Sequence, residues 1–207
     1  IILQATSSQS DLDQIMASSG AKQLVFNAMF CTVNANDEVI IPSPYWVSYP
    51  DIVQLCGGKT VVVACKPSDG FKLQPEQLRE AISKQTKWLI LNSPNNPTGA
   101  VYTRAELSDL AEVLCEHPNV LVLCDDIYEH IVYQPNIFAT LAEVEPRLKE
   151  RTLTVNGVSK AYAMMGWRIG YAGGPKFLVA AMTKLQGQST TNPSSVSQAA
   201  AVAALEG

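Results

Sequence analysis

No apolar run in these 207 residues approaches the roughly 20 that a membrane-spanning helix needs. A basic leader followed by an apolar core is also missing from the opening residues, so neither secretion nor membrane insertion has support. The 15 lysines and arginines stand against 19 acids and are scattered, giving a net charge of -4. The electrostatic footprint of a nucleic-acid binder, or of a protein held on acidic lipid, is therefore lacking. Histidine is scarce, with only His117 and His130, and none of the five cysteines stands in a C-x-x-C pair, so no zinc pattern can be assembled. Cys31, Cys56, Cys65, Cys115 and Cys124 are odd in number and lie mostly in apolar runs, as expected of buried thiols in a reducing compartment such as the cytoplasm. Neither G-x-G-x-x-G nor G-x-x-x-x-G-K-[ST] occurs, which removes the dinucleotide and nucleoside triphosphate readings.

What is present is ample apolar material: 47% of residues are hydrophobic and 16% charged, enough for one sizeable core, so a single domain over residues 1–207 is expected. The chain begins at Ile1 and ends at Gly207 just past a helical pattern, and a piece cut at both ends is expected. The Ser/Thr/Gln-rich stretch 5–10 is expected to be loop or frayed end. From residue 38 onward, β-rich runs at 38–42, 59–65, 87–92, 119–125 and 152–156 alternate with apolar residues at helical spacing. Pro75 suits a first helical position ahead of Leu78, Ala81 and Ile82; Thr103 and Glu106 form a T-x-x-E capping box ahead of Leu107, Leu110, Ala111 and Leu114. This alternation predicts an α/β fold with a mainly parallel sheet. Trp88 within its strand reads as core, as do Met164 and Met165; Tyr45, Tyr49 and Tyr162 suit either the core or the wall of a cleft.

Several polar or aromatic residues fall just past strand ends: Trp46, Asn96, Asp125 and Lys160. Open α/β sheets bind ligands outside the carboxyl ends of their strands, so these four are expected to converge on one crevice. No acid occurs between Arg151 and Gly170, which leaves Lys160 among small and apolar neighbours. A ligand that needs a lysine for a Schiff base, an acid for a ring nitrogen, an aromatic platform and a cradle for a phosphate is pyridoxal phosphate.

The motifs Ser93-Pro-Asn-Asn-Pro-Thr-Gly99, Asp125-Asp-Ile-Tyr-Glu-His130, and Ser159-Lys160 with Gly166-Trp-Arg-Ile-Gly170 resemble the large domain of the class I pyridoxal-phosphate aminotransferases, which have the fold-type I architecture. Pro42-Ser-Pro-Tyr-Trp-Val-Ser-Tyr-Pro50 is similar to the bacterial aspartate aminotransferase branch, some members of which also aminate prephenate. The resemblance runs from about residue 11 to residue 207. It implies that Lys160 carries the cofactor and then moves the proton, its apolar setting disfavouring the ammonium form. It implies Asp125 at the pyridine nitrogen, Tyr128 and Asn96 as donors to the ring oxygen, Trp46 stacked on the ring, and Arg168 on the phosphate. Trp46 and Asn96 also meet the substrate. Gly20, Ala21 and Lys22 match the phosphate loop ahead of a helical pattern over 24–33; Ala21 stands where glycine is commoner, which suits the loop provided that the backbone there is helical. Gly157 stands where many relatives have a phosphate-binding serine, and Asp126 where many have Glu. The Ser43–Pro44 and Asn96–Pro97 bonds are expected to be cis.

The activity so implied is transamination of L-aspartate with 2-oxoglutarate, or with prephenate as acceptor, in a cytoplasmic homodimer that takes up no metal. An aminotransferase of alanine or aromatic specificity, or a C–S lyase, would share the same cofactor residues. A cofactor-binding or assembly fragment without turnover is the alternative of another class, because the small-domain arginine that holds the substrate α-carboxylate in the family would lie beyond Gly207.

Overall fold

The computed structural model describes residues 11–207; the stretch 5–10, expected as loop, lies outside them. Seven strands form one sheet: β1 (Ile15–Ser18), β2 (Glu38–Ser43), β3 (Lys59–Ala64), β4 (Thr86–Asn92), β5 (Leu121–Asp125), β6 (Thr152–Gly157) and β7 (Gly170–Gly173). Their order across the sheet is β1-β7-β6-β5-β4-β2-β3. The pairs β2–β3, β2–β4, β4–β5 and β5–β6 are parallel, whereas β7 runs antiparallel to both β6 and β1. The mainly parallel α/β sheet expected from the alternation is thus present, with β7 the single reversed strand.

Seven α-helices cover the described part of the chain: α1 (Ala21–Thr32), α2 (Ser48–Leu55), α3 (Pro75–Ala81), α4 (Arg104–Glu116), α5 (Leu141–Val144), α6 (Lys176–Gly187) and α7 (Ser195–Glu206). Side chains alternate across a strand, so each central strand feeds two cores. Val39 and Ile41 of β2, Trp88 and Ile90 of β4 and Leu123 of β5 face α1, α2 and α6. Ile40, Leu89, Leu91, Val122 and Cys124 point the other way, into a core shared with α3 and α4. Trp88 is fully buried, as expected, and its indole N–H donates to the Thr32 hydroxyl at 2.8 Å. The T-x-x-E box closes on α4: the Thr103 hydroxyl accepts from the Glu106 N–H, and the Glu106 carboxylate accepts from the Thr103 N–H at 2.7 Å.

Two expectations need correcting. Met165 is 57% exposed, because it opens a short 3-10 turn on the surface, Met165–Trp167; Met164 alone is partly buried. All five cysteines are free thiols, but Cys31, Cys56 and Cys115 are only partly buried. The Ser43–Pro44 and Asn96–Pro97 bonds are cis, as are Ser93–Pro94 and Gln134–Pro135.

Chain order and sheet order diverge between β2 and β4. From β2 the chain steps outward to β3, then crosses back to β4 and continues through β5 to β6 in the opposite direction. A reversal of this kind opens a crevice at the carboxyl ends of the strands, where no crossover can fill it.

Candidate active site

Asp125 is the last residue of β5 and stands opposite Asn92, the last residue of β4. The Asn92 amide ties the two strand ends together, donating to the Asp125 carbonyl at 2.8 Å and accepting from the Asn96 N–H at 2.8 Å. That fixes where the loop after β4 departs. The Asp125 carboxylate is buried: its Oδ2 accepts from the Tyr49 hydroxyl at 2.6 Å, while its Oδ1 has only the Ile127 N–H, at a long 3.4 Å. Burial pushes this carboxyl above the usual carboxylate range; the Tyr49 and Ile127 hydrogen bonds and the Lys160 charge pull it part of the way back.

Lys160 follows β6 and lines the same cleft as Asp125, together with Trp46, Tyr49, Asn96 and Tyr128. The cleft holds about 400 Å³, part of it open to solvent. Its Nζ lies 5.8 Å from the centroid of the Tyr128 ring. The expected apolar enclosure of this amine is not provided by the chain: Val158 and Ser159 turn inward, while Lys160 itself is exposed. Apolar neighbours in sequence do not become neighbours in space when the backbone turns between them. Trp46 packs edge-on against Tyr49, with centroids 5.3 Å apart at 86°, leaving the indole standing as a wall of the cleft.

A second group of residues meets beside the cleft. Gly20 precedes α1 with φ 91°, and Ala21 is the first helical residue, so alanine suits the position where glycine is commoner. Arg168 lies against that turn: a Cβ on Gly20 would sit 2.1 Å from Arg168 Nη2. Its Nη1 donates to the Met165 carbonyl at 2.8 Å, which holds the guanidinium fork in place. A Cβ on Gly170 would fall 2.4 Å from the Ala21 nitrogen, so β7 reaches the start of α1 only as glycine. A guanidinium beside the free N–H groups of a helix start is an arrangement that takes a phosphate. Lys22, expected in the same loop, places its ammonium 4.8 Å from the centroid of the Trp46 ring. A Cβ on Gly157 would lie 2.8 Å from the Ile169 carbonyl oxygen, which explains why no serine occupies this position.

Of the residues singled out in the sequence, Ala21, Trp46, Asn96, Asp125, Tyr128 and Lys160 therefore line one cleft, and Gly20 meets Arg168 next to Ala21. Sequence reasoning passed over Asn92, seen only as a strand end, and left Tyr49 undecided between core and cleft. The signal for Tyr49 is its spacing: three residues past Trp46, it closes the turn that enters the helix, its N–H donating to the Trp46 carbonyl at 3.1 Å. Asp126 is buried as well, with Oδ2 lacking a hydrogen-bond partner, and burial pushes its carboxyl far up. Among the described residues no cluster of histidine, cysteine, aspartate and glutamate is suited to a metal ion, and no helix is long and apolar enough to cross a membrane.

A crevice at the turning point of a mostly parallel sheet, with a helix start and a guanidinium at its edge, defines the class: the architecture is fold-type I, and the structural neighbours are fold-type I aminotransferases. Residues 5–207 match the model of the family "Aminotransferase class I and II", and the chain belongs to that family. It is 58% identical to an aspartate aminotransferase of Rhizobium meliloti over 95% of this chain and 48% of that protein. It is equally 58% identical to an aspartate/prephenate aminotransferase of Cereibacter sphaeroides, over 94% of this chain and 48% of the other. The crystal structure of the aspartate aminotransferase from Rhizobium meliloti superposes with a TM-score of 0.97 at 56% identity, covering 100% of this chain and 52% of that one. The chain thus spans about half the length of the curated relatives it matches.

Proposed function

We propose that the chain is the cofactor-binding domain of a pyridoxal-phosphate-dependent aminotransferase that moves the amino group of L-aspartate to 2-oxoglutarate, with prephenate as a further acceptor. The observation that carries this reading is the pairing of Lys160 with the buried Asp125 across one cleft. The residues present suit the cofactor. Asp125 is a buried carboxylate with one oxygen only weakly engaged, and the absence of a Cβ at Gly20 lets the Arg168 guanidinium lie against the start of α1.

When bound, pyridoxal phosphate supplies a carbonyl for amines and an electron-withdrawing ring. The Lys160 amine would be the covalent anchor and, once free, the base that moves the proton at the substrate α-carbon. Asp125 would hold a proton at the ring nitrogen, Trp46 would offer its face to the ring, and the Asn96 amide and Tyr128 hydroxyl would be donors to the ring oxygen. Arg168 and the start of α1, through Gly20, Ala21 and Lys22, would hold the phosphate. Trp46 and Asn96 border the space left for substrate. The names of the relatives, aspartate and aspartate/prephenate aminotransferase, favour the acidic amino acid over alanine or aromatic ones. Two further parts of the proposal, a homodimer and a cytoplasmic location, rest on the family resemblance and on five free thiols.

Loading with pyridoxal phosphate, reduction with borohydride and peptide mapping test the site. The expected label is on Lys160 alone, and Lys160→Ala abolishes it; a label spread over surface lysines overturns the assignment. L-Aspartate should convert the loaded protein to its pyridoxamine form faster than alanine or phenylalanine does. The reverse order removes the substrate reading and leaves the cofactor site standing.

A further inference from the structure

We propose that Tyr49 is a positioning residue for Asp125: its hydroxyl engages one carboxylate oxygen and so keeps the acid ionised, with its other oxygen facing the ligand. The proposal rests on the pyridoxal phosphate reading of the cleft. Tyr49 is 2% exposed, and its hydroxyl donates to Asp125 Oδ2 at 2.6 Å. The proton stays on the phenol, because burial and the adjacent Asp125 charge push Tyr49 well above the ordinary tyrosine range. Asp125 has one other donor, the Ile127 N–H, on the opposite oxygen and at 3.4 Å. A carboxylate rotates about its Cβ–Cγ bond unless something holds it, and here the short bond to Tyr49 is what does so. Tyr49 also packs its ring against Trp46, so one side chain braces both the acid and the aromatic wall.

A tyrosine kept only for packing would be replaced without loss by phenylalanine, since the ring contact with Trp46 survives and only the O–H is removed. The charged and titratable groups that bear on this pair are Asp126, Tyr128 and Lys160. None of them donates a hydrogen bond to Asp125 Oδ2.

The test compares wild type, Tyr49→Phe, Asp125→Asn and the double variant, and its first arm needs no cofactor. In carboxyl-carbon NMR of the unloaded protein, Tyr49→Phe should move the Asp125 titration midpoint upward; an unchanged midpoint overturns the proposal. In the second arm, Tyr49→Phe should weaken pyridoxal phosphate binding about tenfold, the scale expected for losing a hydrogen bond to a charged group. The pH at which acid alters the bound cofactor's visible spectrum should also rise. In the Asp125→Asn background the same change should do no further harm. Equal losses in both backgrounds would mean that Tyr49 acts through packing, and would overturn the proposal. If wild type fails to take up the cofactor, the reading of the site falls, while the first arm still decides what Tyr49 does to Asp125.

Discussion

Arg151 and Asp125 are charged groups drawn out of water at opposite ends of the same sheet, and the chain treats them differently. Arg151 stands just ahead of β6, at the amino ends of the parallel strands. Its guanidinium donates to three carbonyls, Leu114 at 2.6 Å, Val120 at 2.7 Å and His117 at 2.9 Å. Those oxygens belong to the last turn of α4 and the connection to β5, where the helix dipole favours a cation and carbonyls have a lone pair to spare. Asp125, at the carboxyl ends, has one phenol and one distant N–H. Where a charge serves only the fold, the fold itself satisfies it. Where a charge awaits a ligand, the chain leaves part of the satisfaction for the ligand to supply, at a cost in stability.

The largest effect that separates the two ends is expected from Arg151→Ala. Three charge-assisted bonds are lost at once; the Leu114 and His117 carbonyls keep their backbone donors, and the loss should be about 3 kcal/mol, lowering the melting temperature by about 6–12 °C. Pyridoxal phosphate affinity, measured below the transition, should stay within about twofold of wild type. Arg151→Lys, with a single ammonium in place of the fork, should recover only part of the stability. A variant that melts normally but binds the cofactor poorly would contradict the division into a structural end and a binding end.

A smaller effect is expected at the carboxyl end from Gly157→Ser, which introduces a hydroxyl. The Cβ would lie 2.8 Å from the Ile169 carbonyl and 3.2 Å from the Gly170 Cα, both backbone atoms that cannot rotate away. Pushing β7 from β6 should cost about 2 kcal/mol. It also disturbs Gly170, whose contact with Ala21 sets the turn before α1. Titration with the cofactor should therefore show no gain in affinity despite the added donor. A gain would mean that the turn has slack.

The same contrast accounts for what could be read in advance. The five parallel strands carry β-rich runs, and residues just past their ends gather at one rim, so the adjacency of Trp46, Asn96, Asp125 and Lys160 was legible from their positions after the strands. β1 and β7 were not: each has four residues, Gly-Tyr-Ala-Gly in β7, and such strands owe their state to pairing with a neighbour rather than to their own composition. Arg151 gave no sign of its role, because the carbonyls it satisfies lie 31 to 37 residues away in sequence. Lys160 gave a misleading sign: a run of small and apolar residues suggested enclosure, but the chain turns there and exposes the amine.

The smallest effect sharpens the comparison most, because its sign depends on pH. Burial raises the Asp125 carboxyl above its ordinary value of 3.8, so the folded protein binds its proton more tightly than the unfolded chain does. Between 3.8 and the raised value the folded state carries more protons, and stability therefore falls as pH rises through that window. Asp125→Asn removes this term while its side-chain carbonyl still accepts from Tyr49. The unloaded variant should match wild type near pH 4 and exceed it at pH 7.5 by on the order of 1 kcal/mol in urea unfolding, with the gap opening in between. Glu129, raised by burial with no contribution from Asp125, cancels from the difference; Asp126, raised by burial and also by the Asp125 charge, is relieved in the variant, which widens the gap in the same direction. Saturation with pyridoxal phosphate should reverse the order at pH 7.5, since only the carboxylate holds a proton on the ring nitrogen. A variant less stable than wild type at every pH, with and without cofactor, would place Asp125 with Arg151, among the charges that the fold keeps for itself.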